Sequence, residues 1–160
     1  MPIHHPIPPL FNAESHTLIL GSFPSVKSRE QAFFYGHPQN RFWKVIASLY
    51  DERIPESIDD KKSLILSHHL ALWDVIGSCE ITGSSDSSIR DVEPNDLNRI
   101  LDFAPIEHIW LNGKTAEKYY RRYTEKRIGR EARVLPSTSP ANAAWSLDRL
   151  IDAWRVILDA

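Results

Sequence analysis

Four short apolar runs, each cut off by glycine or proline, constrain this chain most. They are "TLILGSFP", whose strand ends at Gly21, "LALWDVIG" (Leu70 to Gly77), "EHIWLNG" (Glu107 to Gly113) and "EARVLPS", stopped by Pro136. Each reads as a strand buried on both faces. Helical spacing recurs between them. Phe42, Val45, Ile46 and Leu49 share one stripe, as do Leu97, Ile100 and Leu101 before Pro105. Lys114 to Tyr123 can form another helix, and Leu147, Leu150, Ile151, Trp154 and Ile157 line the clearest one. Buried strands alternating with helices predict an α/β fold, a three-layer α/β/α sandwich around a parallel sheet.

In such sheets, ligands bind beyond the carboxyl ends of the strands. The polar segments "GSFPS", "WDVIGS", "LNGKT" and "LPSTSPAN" all fall there and outline one site. The Gly/Ser-rich stretch from Ser78 to Asn95 reads as one long loop bordering it. With no internal repeat, residues 1–160 read as one domain, and the Pro-rich residues 1–12 as an extended arm lying over it.

Composition removes several classes. No apolar stretch approaches the ~18 residues of a membrane span, and "MPIHHPIPPLF" lacks the basic start and apolar core of a secretory signal. The expected location is therefore cytoplasmic. Cys79 is the only cysteine, which leaves no internal disulfide and no cysteine-ligated metal or cluster. His4–His5 and His68–His69 are adjacent pairs whose side chains diverge, so no metal site is expected. The net charge of −2 hides an asymmetry: residues 114–133 carry eight cations against three carboxylates, +5, leaving −7 elsewhere. Such a face either steers a polyanion or is simply a solvated helix.

Familiar phosphate and nucleophile motifs are missing. "NGKT" has only the tail of a P-loop, "GSFPSV" lacks the dinucleotide glycines, and no G-x-S-x-G elbow occurs. What stands out is "FFYGHPQNRFW", Phe33 to Trp43. Rings able to sandwich a flat ligand, amides able to read its edges and a basic flank suit a nucleobase. Phe33, Phe34 and Tyr35 precede a Gly-x-Pro turn and are candidate pocket wall, whereas Phe42 and Trp43 enter a helix and the core. Asn40 sits just before that helix, where an N-cap side chain would accept from the Trp43 N–H.

Taken in order, "LILGSFPS", "YGHPQNRFW" and "LPSTSPAN" before the final helix resemble the uracil-DNA glycosylase superfamily. Within it the chain looks most similar to the hypoxanthine-DNA (deoxyinosine) glycosylase family. The "HPxNRFW" segment also resembles mismatch-specific uracil-DNA glycosylases. The resemblance implies a central four-stranded parallel sheet and a deaminated base flipped from DNA into a pocket at the strand ends. It further implies monofunctional hydrolysis of the N-glycosidic bond, without metal or other cofactor, in a monomer that in a prokaryote associates with the nucleoid.

It also assigns residues. Asn40 matches the catalytic asparagine of the hypoxanthine family, an amide that orients water. Tyr35 aligns with an aromatic that stacks on the extruded base, and Phe23 adds a second wall. His37 would donate to the base or a phosphate. Asp74 leaves the second strand where relatives read the base edge, and Asn112 at the third strand's end is a further base contact or simply an Asn-Gly turn. Ser25, Lys114, Ser137, Thr138, Ser139 and Asn142 would meet the DNA backbone. Ser139 would also cap the final helix, with Pro140 at its first position. The chain departs from the superfamily at two positions. Phe23, two residues after Gly21, stands where many members carry a water-activating Asn or Asp, and Leu135 where the second motif often begins with His or Asn. The segment from Ser139 to Asn142 carries no bulky wedge, which predicts weak opening of paired DNA. Two other readings compete: a non-catalytic nucleic-acid or nucleotide-binding module on this fold, and a hydrolase of free nucleosides, against which the basic segment argues.

Overall fold

The computed structural model describes residues 2–159. In chain order, β1 (Ile3–His4) and β2 (Thr17–Gly21) precede three helices, α1 (Val26–Gln31), α2 (Phe42–Leu49) and α3 (Ile58–Ser67). Three strands follow, β3 (Leu70–Asp74), β4 (Ile76–Glu80) and β5 (Arg90–Pro94), and then α4 (Asn98–Leu101) and β6 (His108–Asn112). Next come α5 (Lys114–Tyr119), a π-turn (Tyr120–Thr124), α6 (Glu125–Ile128), β7 (Arg133–Leu135) and α7 (Leu147–Trp154).

The main sheet is parallel and four-stranded, in the order β3-β2-β6-β7. Every residue of β2 and β3 is buried, because helices cover both faces. The connection from β2 to β3 steps one way along the sheet and that from β6 to β7 the other. Right-handed crossovers therefore put α1–α3 and α5–α6 on opposite faces, which makes the three layers. From beyond β7, α7 returns to pack on α2, the rings of Phe42 and Trp154 meeting edge to face at 5.9 Å. The order reverses between β2 and β6, the place where such sheets open a ligand crevice. Register brings Gly21 level with Asp74, and Asn112 level with Leu135.

Several sequence expectations need correction. "LALWDVIG" is not one strand: β3 stops at Asp74 and the chain swings into β4 of a second, antiparallel sheet, ordered β1-β4-β5. The swing is fixed where Val75 N–H donates to Gly21 O (2.8 Å) and Asn95 Nδ2 to the carbonyls of Asp74 and Ile76. Residues 78–95 are accordingly not one loop but mostly this hairpin, only whose tip is irregular. The Lys114 helix runs on through the π-turn to Ile128 and ends at Gly129, whose φ of 63° is a left-handed C-cap. No helix starts at Ser139. Turns occupy that segment, and α7 begins at Leu147 behind Ser146, whose hydroxyl accepts from Arg149 N–H. The phosphate seat expected at a helix start is thus absent there. Helix α3 escaped notice because its apolar face is short; Ser57 caps it by accepting from Asp60 N–H.

The N-terminal segment contributes β1 to the second sheet. Ile3 and His4 pair with Cys79 and Ser78, and Leu10 bridges to Leu72. No helix of the described residues is long and apolar enough to cross a membrane.

Candidate active site

A cavity of about 240 Å³ opens at the carboxyl ends of β2, β3 and β6. That is below the ~300–1,000 Å³ typical of drug-sized ligands. Of the residues assigned from the sequence, Phe23, Ser25, Tyr35, His37, Asn40, Asp74, Asn112, Lys114, Ser137, Thr138 and Ser139 all line it. Asn142 does not. Its side chain turns back and donates to Ser137 O (3.0 Å), shaping the loop rather than facing the cavity. Phe33 is also no wall, since it stacks on Trp43 in the core. The expected bordering role of residues 78–95 is met at the hairpin tip by Ile81, Ser84 and Asp86.

Asn40 sits one residue before the N-cap, which is Arg41. Its Oδ1 accepts from Phe42 N–H (2.9 Å), and the expected bond from Trp43 N–H is not made. The same oxygen accepts the hydroxyl of Thr138 (2.9 Å). Thr138, expected to meet the DNA backbone, is instead fully buried and pinned by Asn112, whose Oδ1 accepts Thr138 N–H and whose Nδ2 donates to Thr138 Oγ1 (both 3.0 Å). Every proton in this chain is therefore assigned by its neighbours. Backbone N–H groups can only donate, so both amide oxygens must face them. Thr138 has one proton, and having accepted from Asn112 it gives that proton to Asn40. What remains at the cavity is the Asn40 –NH₂ group, a donor.

The ring wall is built by a strained backbone. Tyr35 has φ of 53°, which a bulky residue adopts only when its surroundings impose it. Its ring stacks on Phe42 at 4.0 Å, and the following Gly36 N–H is held by the buried hydroxyl of Ser28 (2.9 Å). The Tyr35 hydroxyl is raised well above the ordinary phenol range, by burial first and by the charge of Asp74 second, with Asn112 opposing. It stays a protonated donor. Gly21 is what lets Asp74 and Tyr35 come together here. A Cβ at Gly21 would lie 2.4 Å from Asp74 Oδ1 and 3.1 Å from Tyr35 Oη.

Three supporting residues escaped the sequence reading. Arg41 donates to the carbonyls of Ser139 (2.9 Å), Asn142 (3.1 Å) and Trp145, holding the whole 137–145 loop against the start of α2. Its position beside Asn40 in "NRFW" was the available signal. Gly113, with φ of 98°, leaves room for Ser137, whose Cβ would lie 2.8 Å from a Cβ at that position. His5 lies behind the cavity and donates to Asp74; nothing in the local sequence announced it. His37 accepts Gln39 N–H on Nδ1 (3.1 Å), Ser25 caps α1, and the exposed Lys114 stands at the rim.

A small cavity at the switch point of an α/β/α sandwich, walled by rings and edged by oriented amides, has the shape and chemistry of a pocket for a flat polar ligand. Comparison with known proteins narrows this. Residues 8–157 match the family model described as the uracil DNA glycosylase superfamily. A hypoxanthine DNA glycosylase of Methanosarcina acetivorans is 35% identical over 144 residues, 89% of this chain and 90% of that protein. One from Methanosarcina barkeri is 33% identical over 138 residues, 84% of this chain and 85% of its own length. The solution NMR structure of a candidate uracil DNA glycosylase from Methanosarcina acetivorans superposes with a TM-score of 0.79 at 30% identity, over 98% of this chain and 99% of that one. The chain belongs to the uracil DNA glycosylase superfamily, and its role is that of a DNA glycosylase, a hydrolase of N-glycosidic bonds.

Proposed function

We propose that this glycosylase excises deaminated bases, hypoxanthine first, with uracil and xanthine as further substrates, and leaves an abasic site without strand cleavage. The relatives named hypoxanthine DNA glycosylase support the substrate. The observation that carries the mechanism is the ordered chain from Asn112 through Thr138 to Asn40. With its oxygen occupied twice, Asn40 offers the cavity only N–H donors. It holds a water by the water's oxygen and points it at the sugar, but does not take the water's proton.

Bond breaking must then run ahead of attack. The C1′–N bond breaks with its electron pair leaving on the base, the oxocarbenium-like sugar is captured by the poised water, and the proton that water sheds after bonding passes through solvent to the departed base anion. Electrostatic preorganisation and positioning supply the rate, and strong general-base catalysis is not needed. Tyr35 and Phe23 wall the flipped base, Asp74 and Asn112 meet its edge, and His37 donates to base or phosphate. Ser25, Lys114, Ser137 and Ser139 approach the DNA backbone at the rim. The enzyme acts as a single-domain monomer in the cytoplasm, on nucleoid DNA in a prokaryotic cell.

The test is direct. Oligonucleotides carrying deoxyinosine, deoxyuridine or deoxyxanthosine are incubated with protein and treated with alkali to reveal abasic sites. Cleavage at deoxyinosine is expected. Binding to these oligonucleotides with no cleavage of any would leave a binding module instead.

A further inference from the structure

His5 comes from the N-terminal arm, far in sequence from the cavity, yet its Nε2 meets Asp74 Oδ2 at 2.7 Å. Both side chains are almost fully buried, at 3% and 6% exposure. The other ring nitrogen, Nδ1, accepts Ile7 N–H at 3.2 Å. A backbone N–H can only donate, so Nε2 carries the ring proton and donates it to Asp74. The ring itself is caged by Phe23, Phe34 and Trp73 at 6.0–6.4 Å between centroids. It can neither turn nor withdraw.

This arrangement fixes one oxygen of Asp74 and leaves the other, Oδ1, facing the cavity as an acceptor. Beside it, around the bare α-carbon of Gly21, lies the Tyr35 hydroxyl, buried and without a hydrogen bond of normal geometry. The Asp74 acceptor complements a base edge that presents an N–H. Hypoxanthine offers N1–H and O6, and uracil offers N3–H and O4. Adenine presents the reverse, a bare N1 beside an amino group, and would leave Asp74 facing a lone pair. A site built to bond a donor rejects an analogue lacking it far more strongly than an apolar pocket rejects a shape.

We infer that His5 is a positioning residue for base recognition. By fixing Asp74, the N-terminal arm makes the pocket select bases whose pairing edge carries a ring N–H. The inference rests on the glycosylase reading but is separable from it. His5 touches no substrate; it acts through Asp74.

The test pairs two substrates with two variants. Deoxyinosine and deoxynebularine, whose purine base lacks both N1–H and O6, are placed in identical single-stranded oligonucleotides. Wild-type protein is expected to favour deoxyinosine by at least about a hundredfold in kcat/KM, within the range of such discrimination. His5→Phe, which keeps the ring cage but donates nothing, should narrow that ratio about tenfold or more. His5→Asn, too short to reach Asp74, should do the same, and His5→Gln, whose amide can donate, should restore it to within about threefold. In an Asp74→Asn background, His5→Phe should not change the ratio further. Thermal melting confirms which variants are folded. The same preference is read without turnover by saturation-transfer NMR on free hypoxanthine and free purine. If His5→Phe and His5→Asn slow both substrates equally, or leave the binding preference intact, His5 is only structural and the inference falls. No base release from either oligonucleotide, with the hypoxanthine preference still present by NMR and lost in His5→Phe, would instead overturn the glycosylase reading and keep this one.

Discussion

The hydroxyl of Thr138 donates to Asn40 Oδ1 at 2.9 Å, joining the loop after β7 to the turn before α2 across 98 residues of sequence. That bond, with Phe42 N–H on the same oxygen, decides which end of the Asn40 amide the cavity sees. Thr138→Val removes it and leaves the Asn112 amide without its acceptor. A lost bond in a buried network costs roughly 1–3 kcal/mol, so single-turnover excision should fall about tenfold or more while affinity for product DNA holds. Thr138→Ser should retain most activity. An unchanged rate in the valine variant would detach the chain from catalysis.

Asn40→Ala should lower turnover by about a hundredfold or more, the scale of losing one preorganised donor, with lesion-DNA binding largely kept in a gel-shift assay. Asn40→Asp keeps an oxygen for Phe42 and Thr138 and presents a second oxygen where the –NH₂ stood. It should fold as well as wild type and fall below it in rate, because a donor has become an acceptor. Full activity in the alanine variant would remove Asn40 from the mechanism.

Tyr35→Phe keeps the stack on Phe42 and deletes a hydroxyl with no well-formed bond. The cost at neutral pH should be under about 1 kcal/mol. The raised ionisation of Tyr35 means the folded state holds its proton after the unfolded chain has lost it. Its stabilising contribution is therefore complete below the ordinary phenol value of ~10 and declines as pH rises beyond it. Denaturant titrations above pH ~10 should show a shallower loss in the phenylalanine variant. Parallel curves would place the alkaline sensitivity elsewhere, with Tyr120, itself raised to about 12, as the next residue to replace.

Arg41→Lys exchanges a fork that reaches three carbonyls for a single ammonium. Amide hydrogen exchange in residues 137–145 should accelerate, and stability should drop by about 1–3 kcal/mol. Wild-type protection in that loop would show that Arg41 does not hold it.

The segment from Ser139 to Ala141 turns at the rim with only serine, proline and alanine to offer the duplex. Excision of deoxyinosine should therefore be faster from single strands and mismatched pairs than from well-paired duplex, where unstacking is least assisted. Equal initial rates on single-stranded and fully paired oligonucleotides would contradict this.

Much of this molecule was legible in one dimension because buried parallel strands and amphipathic helices write their period locally. Strands β2 and β6 fall near their expected ends, β3 stops at Asp74 short of the expected Gly77, β7 proved shorter, and the polar segments after them do converge. The misread places were those where the partner is remote. "LALWDVIG" looks like one strand because nothing local says that Asn95 and Gly21 will bend it after Asp74. Ser139 looks like a helix cap because the competing bonds from Arg41 come from another part of the chain. The residue types at the cavity were set by sequence alone: Asn40, Tyr35, Asp74 and Asn112 line it together, while Thr138 is buried between Asn112 and Asn40 instead of meeting the DNA backbone. Their polarity was not. Only the tertiary structure decided that Asn40 shows its –NH₂ and that Asp74 shows Oδ1, because a hydrogen-bond direction is fixed by the donor that arrives from elsewhere. For Asn40 that donor is Thr138, and for Asp74 it is His5, reaching back from the arm.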